Sequence, residues 1–139
     1  MSLRQLGSAL CLAFAFLPTG CTVQTSSAPP PPRGTVEGTL ILDWSINGSK
    51  DPSVCSQSGA AAIDIKVYDA AGGFVGEYQQ ACTTFATSIQ LAAGSYTADA
   101  VLIDGAGHSR TTTINVNPFT LHGDDQLNIP VDFPPGSFS

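Results

Sequence analysis

Thr35-Val36-Glu37-Gly38-Thr39-Leu40-Ile41-Leu42-Asp43-Trp44-Ser45-Ile46 is the stretch that decides the fold. Val36, Gly38, Leu40, Leu42, Trp44 and Ile46 fall on one face, and Thr35, Glu37, Thr39, Asp43 and Ser45 on the other, with Ile41 the exception. Successive side chains of a strand point to opposite faces, so a period of two marks a half-buried strand rather than a helix. The same period returns downstream. Ile63, Ile65 and Val67 alternate with Asp64, Lys66 and Tyr68, and Phe74–Gln79 forms a weaker third strand. Phe85, Thr87, Ile89 and Leu91 share a face, as do Tyr96, Ala98, Ala100 and Leu102. Thr112, Ile114 and Val116 follow, and Leu127, Ile129, Val131 and Phe133 close the series. Turn residues separate the runs: the polar loop Asn47–Gly59, Ala71-Gly72-Gly73, Ala93-Gly94, Asp104-Gly105-Ala106-Gly107, Pro118 and Gly123-Asp124.

Seven such strands without a helical segment predict an all-β, seven-stranded antiparallel sandwich over residues 35–134, with 135–139 a short tail. Pro130 points away from the apolar face of the last strand and lacks an N–H, which places that strand at an edge or bulge. Leu42, Trp44, Ile65, Val67, Tyr96, Ala98, Ile129 and Val131 are expected to be buried together. Trp44 is read as core rather than as a platform for stacking a ligand. Ile41, Val101 and Ile103 are apolar on outward faces, either covered by loops or forming a contact patch.

The strands account for most of the chain after residue 34, and the first 34 residues read differently. Met1–Gly20 has the form of an export signal: Arg4 is its one charge, and Leu6 to Leu17 is an uncharged apolar run too short to span a bilayer. Leu17-Pro18-Thr19-Gly20-Cys21 resembles the lipobox of bacterial lipoproteins, although Pro18 stands where that family usually has Leu. The resemblance covers the first 21 residues and implies cleavage before Cys21, which would carry a diacylglyceryl thioether and further acyl chains such as palmitate. Thr22 follows, where an Asp would favour the inner membrane, so the resemblance implies an outer-membrane lipoprotein. Ordinary secretion is the rival, but Ala13-Phe14-Ala15 lies inside the apolar run and a cut after Ala28 would meet Pro29. Residues 21–34, with Pro29–Pro32, read as a semi-rigid polyproline stalk.

Composition narrows the partners. Five Lys or Arg face eleven Asp or Glu, a formal net charge of −6 that becomes −7 when Arg4 leaves with the leader. Such a surface repels nucleic acid, whose binding rests on basic contacts to phosphate. It equally argues against a polybasic membrane patch. The membrane is reached through the lipid at Cys21, with other envelope proteins as further partners.

A second resemblance lies in Leu91-Ala92-Ala93-Gly94-Ser95-Tyr96-Thr97-Ala98-Asp99-Ala100 with Asp104-Gly105. It is similar to the strand–turn–strand of transthyretin-like and carboxypeptidase-regulatory-like domains, which immunoglobulin-like modules share. The resemblance implies a Tyr packed inward beside the turn, matched by Tyr96, and roles in adhesion, scaffolding or assembly.

With Cys11 lost and Cys21 lipidated, Cys55 and Cys82 remain, an even count for an oxidising compartment. A disulfide between them is expected; a metal pair or a redox dithiol would want further ligands or a CxxC, and neither is present. No catalytic residue, metal ligand set or cofactor motif is assigned. Asp104, His108 and Ser109 could be imagined as a triad, but no nucleophile elbow supports it, and His122 also lies in a polar turn. Asp43, Asp51, Asp99, Asp104, Asp124 and Asp125 lie near strand ends, where calcium finds oxygen ligands, yet such residues are more often turn formers. The expected function is a non-enzymatic structural or protein-interaction module of the cell envelope; the alternative is a loop-borne binding site for sugar, peptide or calcium.

Overall fold

The computed structural model describes residues 36–139; the leader, Cys21 and the Pro-rich stalk lie outside the described residues. Its strands are β1 (Glu37–Ile46), β2 (Ala62–Asp69), β3 (Phe74–Ala81), β4 (Ala86–Ala92), β5 (Gly94–Ile103), β6 (Ile114–Leu121) and β7 (Gln126–Phe133). They form two sheets, one ordered β4-β1-β7 and the other β3-β2-β5-β6. This is the expected all-β sandwich with seven strands.

The alternation of each central strand becomes the packing between the sheets. Leu40, Leu42 and Trp44 of β1, Ile63, Ile65 and Val67 of β2, and Ala98, Ala100 and Leu102 of β5 are wholly buried in one core. Of the predicted core set, all but Ile129 are buried, and Ile129 packs half-buried against the same cluster. Trp44 is completely enclosed, its indole N–H donating to the Cys82 carbonyl at 3.0 Å. Tyr96 turns inward, donates its hydroxyl hydrogen to the Ala92 carbonyl at 2.6 Å and sets its ring 5.9 Å from that of Phe119. Gly38 lies where β1 meets the end of β6; a side chain there would run into Leu121 and the His122 carbonyl, so the smallest residue is required.

Four expectations are corrected. The sandwich is not wholly antiparallel: β7 pairs with β1 in parallel, from Thr39 opposite Gln126 to Ile46 opposite Phe133. The turn after Leu121 carries the chain from one sheet to the other, so β7 docks on the free edge of β1 rather than on β6. Alternation reports which face is buried, and is blind to the direction of the neighbour. Second, the Asn47–Gly59 loop contains a helix, α1 (Pro52–Ser58). Third, the sixth strand does not stop at Pro118 but continues to Leu121, burying Phe119 and Leu121. The β5–β6 register shifts between Tyr96 and Ala98, so the residues around Pro118 sit in a bulge on an edge strand, where no ladder bond is lost. Fourth, Val36 is half exposed although its parity matches the core; Ile103, outward by parity, is buried outside the core cluster beneath the Ser109 bridge, the covered alternative. Pro130 does lie on an edge strand, as its missing N–H requires.

Candidate functional site

The helix α1 exists because both of its ends are chemically specified. Asp51 is extended and its carboxylate accepts from the Ser53 N–H at 2.8 Å, while Pro52 opens the helix where a missing N–H costs nothing. That hydrogen bond from Ser53 holds the Asp51 carboxyl below the usual carboxylate range. Gly59 closes the helix at φ 71°, a left-handed conformation, and its N–H reaches the Ser56 carbonyl at 3.1 Å. Cys55, the buried residue of α1, is disulfide-bonded to Cys82, which lies in the 3₁₀ turn Cys82–Thr84 after β3. The expected pairing is therefore present, with Cα atoms 6.0 Å apart. It bolts α1 to the segment whose carbonyl receives the Trp44 indole.

Facing α1 is the end of the chain. Pro135–Ser137 form a second 3₁₀ turn, Ser137 is buried, and its carbonyl accepts from Thr112 N–H at 2.6 Å. Phe138 bridges to Thr111 and packs against the core. Residues 135–139, expected as a short tail, thus form a wall. Between the two walls lies an open groove of about 480 Å³, lined by the apolar Ile46, Val54, Pro135 and Phe138 and by the polar Asn47, Ser49, Gln57, Ser58 and Arg110. A volume of that size suits a small ligand.

Arg110 is the charged group of this groove. Its N–H donates to the Leu102 carbonyl at 2.7 Å, and its carbonyl accepts from Ser139 at 3.2 Å, so the backbone is held on both sides. The Nε and Nη2 groups both donate to the Ser58 carbonyl at 3.3 Å. Sequence reasoning did not single out Arg110 or Phe138. The signals present were an Asp-Pro start and a Gly stop seven residues apart around α1, and the scarcity of basic residues in an acidic chain.

A smaller recess of about 340 Å³ runs between the edges of β6 and β7, over Ile114, Leu127 and Ile129. Each of these edges carries a proline, Pro118 and Pro130, a common guard against strand addition. The opposite edges, β3 and β4, carry none, and β3 exposes Phe74 and Val75.

Four of the six acidic residues considered for calcium are occupied otherwise. Asp43 pairs with Lys50, Asp99 accepts from the Asn115 amide at 2.7 Å, and Asp51 caps α1. Asp104 Oδ1 accepts from the N–H groups of Ala106 and His108, both at 2.9 Å, and the His108 bond is the main cause of its lowered pKa. Asp69 staples its own turn alike, through Ala71 and Gly73. Among the described residues no group of three or more His, Cys, Asp or Glu gathers as a metal would need. His108 Nδ1 stands 3.4 Å from Asp104 Oδ2 with its side chain 80% exposed, and no hydrogen bond joins it to Ser109. The imagined triad is not assembled.

No family model matches the chain, and no curated protein does. Among solved structures it is similar to a leucine-rich repeat protein from Bacteroides thetaiotaomicron, at 17% identity and TM-score 0.47, over 70% of this chain and 12% of that one. It is also similar to a candidate adhesin from Bacteroides ovatus, at 13% identity and TM-score 0.47, over 69% of this chain and 45% of that one. Candidate polysaccharide-binding proteins from Bacteroides thetaiotaomicron are similar at 10% identity and TM-score 0.41, over 67% of this chain and 46% of theirs. The chain spans less than half the length of each of these proteins.

Proposed function

We propose that this chain is an exported, lipid-anchored protein of the bacterial envelope, held at the outer membrane through Cys21, whose sandwich is an interaction module that binds rather than catalyses. The binding end is the groove between α1 and the turn Pro135–Ser137. One observation carries this reading: two segments that belong to neither sheet are brought together, one by a disulfide and one by the Thr111–Phe138 bridge, to wall an open groove with mixed apolar and polar lining. The immunoglobulin-like class is supported by Tyr96, whose bond back to Ala92 repeats the tyrosine corner of such domains.

Two measurements test the proposal. A Cys21→Ala variant is expected to leave the membrane fraction, and equal membrane retention refutes the anchor. Crosslinking and affinity purification of the full mature chain from intact envelopes should recover a partner or glycan that is lost when Gln57→Trp fills the groove; an unchanged yield refutes the groove as the binding end.

A second reading has its own observation. β3 is an edge strand without proline whose Phe74 is 62% exposed, a surface suited to strand addition by another envelope protein. Val75→Lys would abolish assembly of that kind and leave groove binding intact.

A further inference from the structure

We propose that the groove takes a hexuronate, a sugar bearing a carboxylate, and that Arg110 holds the carboxylate. This rests on the groove being the binding end, and goes further by naming the ligand class and its anchoring residue.

The charge pattern is the first observation. The described residues include three Lys or Arg, namely Lys50, Lys66 and Arg110. Lys50 pairs with Asp43, and Lys66 lies 3.8 Å from Asp64 and 3.9 Å from Glu77. Arg110 alone among them has no carboxylate partner, in a chain where acidic residues outnumber basic ones by more than two to one. On an open surface this would signify little, but Arg110 is half-buried and lines the groove.

The orientation of the guanidinium is the second. Its Nε and Nη2 edge is spent on the Ser58 carbonyl, and Gly59 lies against the same edge, where a Cβ would stand 3.1 Å from both nitrogens. The group is thus pinned at the C-terminal end of α1, and Nη1 with the second N–H of Nη2 makes no other hydrogen bond among the described residues, leaving the end of the fork that matches a carboxylate in bidentate fashion. Two carboxylates adjoining the groove-lining segments are engaged elsewhere. Asp132 accepts from Ser45 Oγ at 2.6 Å and from Gly48 N–H at 2.8 Å, and Asp51 is engaged by Ser53.

The remaining lining suits a sugar ring rather than a bare anion. Asn47 and Gln57 supply amides that donate and accept, Ser49 a hydroxyl, and Phe138 an apolar surface for the C–H face of a pyranose. A neutral sugar would use these groups and leave the Arg110 end unpaired; a small carboxylate would use Arg110 and leave the rest.

The test is an amide-resolved NMR titration of the full mature chain at low salt with glucuronate, glucose and N-acetylalanine. Glucuronate is expected to shift amides of the groove residues, and glucose and N-acetylalanine to bind on the order of ten- to hundredfold more weakly, the factor a charge-assisted hydrogen bond supplies. Arg110→Gln should bring glucuronate down to the glucose level, and Gln57→Ala should weaken both sugars alike. Equal affinity for glucose and glucuronate overturns the proposal, as does N-acetylalanine binding as tightly as glucuronate. Should Arg110→Gln fail to fold, the comparison of ligands on the unaltered chain decides. If glucose shifts the groove as strongly as glucuronate, the carboxylate assignment alone is lost; if no probe shifts the groove, the binding end is lost with it.

Discussion

Reducing the Cys55–Cys82 bond tests how the sandwich and its groove depend on one another. The crosslink closes a loop with a sequence separation of 27. On the chain-entropy model, freeing a loop of that length returns about 12 cal/mol/K to the unfolded ensemble, or about 3.6 kcal/mol at 25 °C. Both sulfurs are buried, Cys55 at 2% and Cys82 at 0% exposure, so reduction in place keeps the packing while Ala replacements empty it. Reduced protein should therefore lose about 3.6 kcal/mol, and Cys55→Ala/Cys82→Ala roughly 1 kcal/mol more for each vacated site. In a urea titration with a slope of about 1.5 kcal/mol/M, reduction alone moves the midpoint down by about 2.4 M. For a domain whose stability lies at roughly 5–15 kcal/mol this is a large share. Hydrogen exchange on the reduced but still folded chain should show residues 52–59 losing protection before the sheets. A midpoint shift equivalent to less than about 1 kcal/mol would refute the reasoning, since it would mean that the unfolded chain is already as restricted without the bond.

Other perturbations follow from single observations. Trp44→Ala should cost about 3–5 kcal/mol in a denaturant titration, whereas Trp44→Phe, which keeps most of the volume but removes the indole N–H from the Cys82 carbonyl, should cost roughly 1–3 kcal/mol. Gly59→Ala should destabilise by about 1 kcal/mol through its left-handed φ of 71° and should disturb Arg110, read out as a changed shift of the guanidinium in NMR. Asp51 and Asp104 have lowered folded-state pKa values, so each contributes stability that is complete above the unfolded value of about 3.8 and fades as pH falls through the lower folded value. Asp51→Asn/Asp104→Asn should accordingly flatten the acid limb of the stability profile, and an unchanged limb would count against those hydrogen bonds.

What the sequence alone determined is the layer architecture. A period of two at Leu40-Leu42-Trp44, Ile63-Ile65-Val67 and Tyr96-Ala98-Ala100 leaves one face that must be buried, and two such sheets bury each other, so the β-sandwich and its core residues were legible from local pattern. The even count of cysteines made the Cys55–Cys82 bond legible too. Tertiary structure decided the rest. The parallel docking of β7 on β1 depends on which edge was free when the chain crossed between sheets, and side-chain alternation is the same in either direction. The continuation of β6 past Pro118 depends on that strand lying at an edge, where a missing N–H breaks no ladder. The groove depends on residues far apart in the chain, Asn47, Gln57, Arg110 and Phe138. None carries a periodic signal, because their positions are set by the disulfide, the Thr111–Phe138 bridge and the Arg110–Ser58 contact, which exist only after the sheets have brought the ends of the domain together.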